Sequence, residues 1–179
     1  MRIIAGDKRG QIIKAPAGRG TRPTTDRVRE AIFSTLAPFL EGAYVLDAFA
    51  GSGALGLEAL SRGAEGVVFC EQSRPAQLVI KENLARLGLA ARAQLLCGAA
   101  EQQLIGANKA FDIVLLDTPY NQGLIAEIEP LLLREGFLQS GALVMLETAA
   151  REPELLADTR WRQLKNRVYG DTAVYYWEL

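Results

Sequence analysis

The chain contains no histidine, and that absence excludes more chemistry than any other feature of its 179 residues. Without an imidazole there is no Ser-His-Asp triad, no Cys-His pair, no histidine general base and no histidine metal ligand. Cysteine is scarce too. Cys70 and Cys97 are the only two, so a four-sulfur zinc site is impossible and no metal is expected. Both thiols end strand-like apolar runs, VVFC and AQLLC, where buried, unpaired sulfur is the expectation. No stretch approaches the ~18 consecutive apolar residues of a membrane span. The N-terminus, MRIIAGDKRG, lacks the apolar run of a signal peptide. A reducing, cytoplasmic setting without a membrane partner is expected. The chemistry must rest on carboxylates, backbone groups, basic side chains, aromatic rings or a borrowed cofactor.

An overall excess of charge is also missing, since the formal net charge is -1. That total hides a split. Residues 1–29 carry eight basic side chains against Asp7 and Asp26, whereas the rest of the chain is net acidic by seven. A basic arm on an acidic body reads either as a nucleic-acid contact or as a solvated terminal segment.

What is present follows an α/β rhythm. A length of 179 residues suits one domain with a small appendage. Residues 1–14 alternate around glycine and read as a hairpin, and Thr24, Thr25 or Asp26 caps a helix with Val28, Ile32 and Leu36 on its apolar side. From residue 43 strands and helices alternate: AYVLDAF, GVVFCE, ARAQLLC, FDIVLLD and GALVMLET are strands, the fourth apolar enough to be buried on both faces. Ser73 and Gly88 bound a long amphipathic helix. WRQLKNRVYG and TAVYYWEL close the chain as a hairpin. The expected fold is α/β around a mostly parallel seven-stranded sheet, with residues 1–40 as a basic hairpin-plus-helix extension and residues 41–179 as the main domain.

Two segments carry chemistry. Asp47-Ala-Phe-Ala-Gly51-Ser-Gly53-Ala-Leu-Gly56 stands where a strand ends and a helix begins, the context of a nucleotide-binding turn. Glu71, 20 residues after Gly51, ends the next strand, where a carboxylate can accept from both hydroxyls of a ribose. Asp47 would repel a pyrophosphate but suits a cationic amino group. No tyrosine is followed four residues on by lysine, as a dehydrogenase proton donor would need. Both points favour S-adenosylmethionine over a dinucleotide. The second segment, Asp117-Thr118-Pro119-Tyr120, follows the most apolar strand. A proline turn accounts for Pro119 alone; it leaves Asp117 and Tyr120 at the strand edge where open α/β sheets bind ligands. A carboxylate and a backbone carbonyl that accept from an exocyclic amino group would free its lone pair, and an aromatic face would stack on the base.

With these motifs in place, the chain resembles a known family. The DxFxGxG turn, the acid after the second strand and the D/N-P-P-Y/F tetrapeptide are similar to those of amino-directed, S-adenosylmethionine-dependent methyltransferases. RIIAGDKRGQIIKAP, RPTTDRVREAIFSTL and LDAFAGSGALGLEALSRGA resemble the RsmD family, bacterial enzymes that methylate the guanine 2-amino group of 16S ribosomal RNA. The resemblance implies a Rossmann-like methyltransferase fold and S-adenosyl-L-methionine as cofactor. It implies Asp117, Thr118, Pro119 and Tyr120 as catalytic residues, and Asp47, Phe49, Gly51, Gly53, Glu71, Gln72 and Ala99 as the cofactor site. Thr118 replaces the family's first proline but keeps the carbonyl. Gly98, Ala99 and Ala100 offer the adenine only backbone groups. Lys8, Arg9, Lys14, Arg19, Arg22, Arg27 and Arg29 would grip RNA, with structural ion pairs as the alternative for Arg27 and Arg29. The implied partner is 16S ribosomal RNA, free or within the small subunit or an assembly intermediate, and the expected state is a monomer. Other readings stay open: another amino group, such as adenine N6 in DNA or RNA, or an RNA-binding protein with weakened catalysis. Arg160, Arg162, Lys165 and Arg167 form a second basic run that reads as a solvated strand face, and Tyr169, Tyr175, Tyr176 and Trp177 read as packing groups.

Overall fold

A computed structural model describes residues 1–16, 25–106, 110–118, 122–151 and 153–179. Four expected site residues, Arg19, Arg22, Pro119 and Tyr120, lie outside these residues. The strands are β1 (Tyr44–Asp47), β2 (Gly66–Glu71), β3 (Ala93–Cys97), β4 (Phe111–Asp117), β5 (Leu138–Ala149), β6 (Arg162–Tyr169) and β7 (Thr172–Glu178). They form one seven-stranded sheet in the order β3-β2-β1-β4-β5-β7-β6. The first five pair in parallel, and β7 enters between β5 and β6 antiparallel to both. The sheet is therefore mostly parallel with one reversed strand.

Both faces of the sheet are covered, which is why its central strands are almost wholly apolar. In β4, Ile113, Val114, Leu115 and Leu116 are all fully buried. Helices α1 (Asp26–Leu36), α2 (Ala54–Ser61) and α3 (Arg74–Leu87) pack on one face through Val28, Ile32, Leu36, Leu57 and Ile80. The short α4 (Ala100–Gln103) and α5 (Leu124–Leu132) pack on the other through Ala100, Ile125, Ile128 and Leu132. Thr25 caps α1, its side chain accepting from the Val28 N–H at 3.3 Å. Ser73 occupies the N-cap of α3 but makes no capping bond with its side chain, and Gly88 ends that helix in the left-handed conformation. Among the described residues, no helix is long and apolar enough to cross a membrane.

Three local expectations are corrected. Cys70 is buried, but Cys97 is exposed because β3 is a sheet edge. Strand β5 begins earlier than GALVMLET, since Leu138 pairs with Phe111 before a register shift. The N-terminal hairpin is reduced to one bridge, Arg2 with Ile12. Ile3 N–H donates to the Gln11 carbonyl at 2.9 Å and Ile13 N–H to the Met1 carbonyl at 3.0 Å beside that bridge, while Ile4 and Ala5 give their N–H groups to the Glu58 carboxylate, at 2.8 and 3.0 Å. Ile3 and Ile13 are nonetheless buried against the α1–α3 core.

Candidate active site

The site assembles at the carboxyl ends of the parallel strands. Asp47 ends β1, which lies between β2 and β4, so Glu71 and Asp117 stand on its two neighbours. Asp47 aligns with Leu115, and Asp117 lies two residues further along β4, in register with Glu147 of β5. Side chains alternate along a strand, and Val45, Leu115 and Met145 all join the α1–α3 core. Asp47, Asp117 and Glu147 therefore belong to that same face.

The glycine turn is held from both sides. Ala48 N–H donates to the Leu115 carbonyl at 3.1 Å, and Ala50 N–H to the Cys70 carbonyl at 3.0 Å. Gly51 and Gly53 both take positive φ, and Gly53 starts α2. Gly56 is required for packing: a Cβ there would meet the Phe69 ring at 2.2 Å, so only glycine lets α2 lie this close to β2. The Gly56 N–H donates to Asp47 Oδ2 at 2.9 Å. Asp47 Oδ1, equally buried, has no hydrogen-bond partner. Burial pushes the Asp47 carboxyl up to about 7, opposed by the Gly56 N–H and reinforced by the nearby Glu71 charge. The same region raises the Cys70 thiol to about 12, through burial first and then Asp47 and Glu71. Cys70 is thus an inert core group.

Glu71 accepts from Gly51 N–H at 2.7 Å through Oε2 and from Ser73 N–H at 2.6 Å through Oε1. The second bond fixes the backbone at the N-cap of α3. Phe49 is half-buried against the α4–α5 core, Gln72 is exposed, and Ala99 is half-buried at the start of α4. Gly98 N–H donates to the Glu71 carbonyl at 3.0 Å, which draws the Gly98–Ala99 backbone to the end of β2.

On the other side of β1, Thr118 is buried directly after Asp117. Sequence reasoning missed the groups around this pair. Glu147 is a buried carboxylate beside Asp117, and Thr148 follows it, also buried. Glu154 accepts from the Gly123 N–H at 3.1 Å, and its own N–H donates to Thr148 Oγ1 at 3.3 Å. Gly123 is the N-cap of α5, so Glu154 anchors the point where the chain re-enters helix after the DTPY segment. The polar pair ending an apolar strand, Glu147-Thr148, was the available signal. The Glu154 contact crosses 31 residues and has no local signature.

The basic arm divides. Arg9 and Arg27 are exposed, Lys8 is half-buried with Asp7 at 3.7 Å, and Lys14 is ion-paired with Glu82. Arg29, expected among the RNA-facing cations, is fully buried. It lies 3.0 Å from Asp26 and 3.8 Å from Glu58, and it also donates to the Arg2 carbonyl. This is a correction with a plain cause: Arg29 neutralises a buried carboxylate and is out of reach of any phosphate. In the second basic run, Arg160 pairs with Asp158, Arg162 with Glu178, and Lys165 donates to Thr35.

Comparison with known proteins places this geometry. The family model described as Conserved hypothetical protein 95 matches residues 1–178. Ribosomal RNA small subunit methyltransferase D of Escherichia coli K12 is 39% identical over 97% of this chain and 87% of its own length. The chain belongs to the RsmD family. A solved structure of the E. coli candidate methyltransferase YhhF matches with TM-score 0.88 and 38% identity, covering 99% of this chain and 97% of that one. At 18% identity, an RNA methyltransferase of Salinibacter ruber, solved with S-adenosyl-L-homocysteine, shares the fold with TM-score 0.67, covering 88% of this chain and 93% of its own. The sheet is therefore the Rossmann-like sheet of S-adenosylmethionine-dependent methyltransferases.

Proposed function

We propose that this chain methylates ribosomal RNA with S-adenosyl-L-methionine, and that its target is the 2-amino group of a guanine in 16S RNA. The observation that carries the methyl-transfer reading is the pairing of β1 with β4, which sets the Asp47 turn beside Asp117. The name of the E. coli relative supplies the class of nucleic acid.

The residues present fit the cofactor. Asp47 Oδ1 is a buried acceptor without a donor, as a site for an α-ammonium group requires. Each Glu71 oxygen accepts one backbone N–H and keeps a lone pair for a ribose hydroxyl. The backbone at Gly98 and Ala99 would meet the adenine, flanked by Phe49 and Gln72. When bound, the cofactor supplies a methyl group on a sulfonium leaving group. What remains for the protein is alignment, with nitrogen and methyl carbon roughly 3–3.5 Å apart. Asp117 and the Thr118 carbonyl would accept from the two amino hydrogens, Pro119 would shape the turn, and Tyr120 would stack on the base. As the nitrogen becomes cationic, Asp117 takes its proton. No step needs an imidazole. Lys8, Arg9, Lys14, Arg19, Arg22 and Arg27 would position the RNA through its phosphates.

Labelled methyl transfer to unmethylated 16S RNA, to small ribosomal subunits and to DNA tests the reading. N2-methylguanosine in a digest of the RNA or the particle is expected. N6-methyladenosine, or transfer to DNA alone, overturns the assignment.

A further inference from the structure

Asn83 lies on α3 with no exposed surface, and both ends of its amide are used. Its Oδ1 accepts from the Lys14 N–H at 2.9 Å, and its Nδ2 donates to the Lys14 carbonyl at 3.0 Å. Together these bonds mimic one rung of a β-ladder, formed by a side chain on the arm's backbone. Nδ2 also donates to the Ser52 carbonyl at 3.3 Å, in the turn between Gly51 and Gly53. One buried amide thus joins the basic arm to the cofactor turn. Its neighbours strengthen the arm's side of the joint: Glu82 pairs with the Lys14 ammonium, and Arg86 donates to the Ile12 carbonyl. Apart from one weak contact, the Ser52 hydroxyl on Met1 Sδ at 3.8 Å, the arm's other described anchors do not reach the turn. Glu58 holds Ile4 and Ala5, while Ser61 accepts from Lys8 N–H and donates to the Ala5 carbonyl.

We propose that Asn83 is a positioning residue that couples RNA binding by the arm to cofactor binding at the glycine turn. The proposal rests on the methyltransferase reading above. The amide satisfies Lys14 and Ser52 together only when both segments are seated against α3. A ligand that fixes one segment removes disorder the other ligand would otherwise have to remove, so each tightens the binding of the other by the same factor. RNA backbone is the second ligand, because the anchored segment carries Lys8, Arg9 and Lys14 and leads directly to Arg19 and Arg22. Asn83 is 31 residues from Ser52 and 69 from Lys14 in sequence, so no local motif announces the joint.

The test measures the affinity of the full chain for S-adenosyl-L-homocysteine by calorimetry, alone and with saturating 16S RNA transcribed in vitro, at one fixed salt concentration. RNA is expected to tighten cofactor binding at least about fivefold in the natural chain. Asn83→Ala should bring that ratio to within about twofold of unity, with the fold retained by circular dichroism. If Asn83→Ala does not fold, Asn83→Asp serves: it keeps an acceptor for the Lys14 N–H, loses both donated bonds, and should lose the coupling too. Ser61→Ala loosens the arm away from the turn and should keep the natural ratio. An Asn83 variant that melts earlier yet keeps the full ratio overturns the proposal, because that is a structural role alone. A Ser61→Ala loss as large as that of Asn83→Ala overturns it as well. Independent binding of RNA and cofactor by the natural chain overturns the coupling only. Failure to bind RNA at all overturns the functional reading with it.

Discussion

The two halves of the catalytic edge are built on different principles. At the ends of β1 and β2, the carboxylates are spent on the protein itself: Asp47 holds Gly56, and Glu71 holds Gly51 and Ser73. At the ends of β4 and β5, Asp117 and Glu147 stand side by side, and Glu154 holds the Gly123 amide at the start of α5. The first half is a local turn fixed by its own carboxylates. The second is assembled across the fold, from two paired strands and a carboxylate 31 residues away from the amide it holds. Binding and chemistry should therefore separate when each half is cut.

The deepest cut is Asp117→Ala. Methyl transfer should fall by at least about a thousandfold, in the range of losing a positioned acid–base group. Affinity for S-adenosyl-L-homocysteine, read by calorimetry, should stay within about twofold. A parallel collapse of binding would merge the two halves. Glu71→Ala should do the reverse. Loss of charge-assisted bonds to Gly51 and Ser73, and of the ribose acceptor, should weaken cofactor binding about 10- to 100-fold. Saturating cofactor should recover most of the turnover.

Protonation gives a gentler cut through the first half. Asp47 is raised to about 7 in the folded chain, chiefly by burial, from an ordinary carboxyl value. The folded protein without cofactor therefore favours the protonated acid. Its contribution to stability is complete at acid pH and is lost as the pH rises through about 7. Cofactor binding runs the other way, because an ammonium group needs the ionised acid. Affinity should drop by up to about tenfold per pH unit below that midpoint. Asp47→Asn should flatten both the melting series and the binding series, at low affinity throughout. The smallest effect belongs to the proposed RNA surface. Arg27→Ala should reduce the slope of log affinity against log salt by about one, whereas Arg162→Ala, already paired with Glu178, should leave it unchanged.

Much of this edge was legible because it is local. Strand, glycine turn and helix fall within ten residues from Asp47 to Gly56, and the apolar run of β4 points straight at Asp117. What stayed hidden depends on pairing across the fold. The FDIVLLD run gives no hint that Glu147 will stand in register with Asp117. Nothing in the closing hairpin says that β7 enters the sheet before β6. Charge counting misread Arg29 for a related reason: composition records the sign of a side chain but not its depth. Arg29 lies three residues from Asp26 on one helix, yet its buried partner Glu58 comes from another.

That buried pair constrains how this protein can be taken apart or recombined. Glu58 receives the arm's Ile4 and Ala5 amides, the Arg62 guanidinium at 2.7 Å and the nearby Arg29 charge. Deleting the arm would strip two backbone donors from a carboxylate that has no exposed surface, a loss of about 1.5–3 kcal/mol for each bond to a charged group, while Arg62 and Arg29 stay in place. Conversely, a related methyltransferase body given this arm as a graft would have nowhere to seat it without equivalents of Glu58, Ser61 and Asn83. The arm and its receiving helices thus form one structural unit, and moving the arm to another body would require moving residues 1–16 together with the inner faces of α2 and α3.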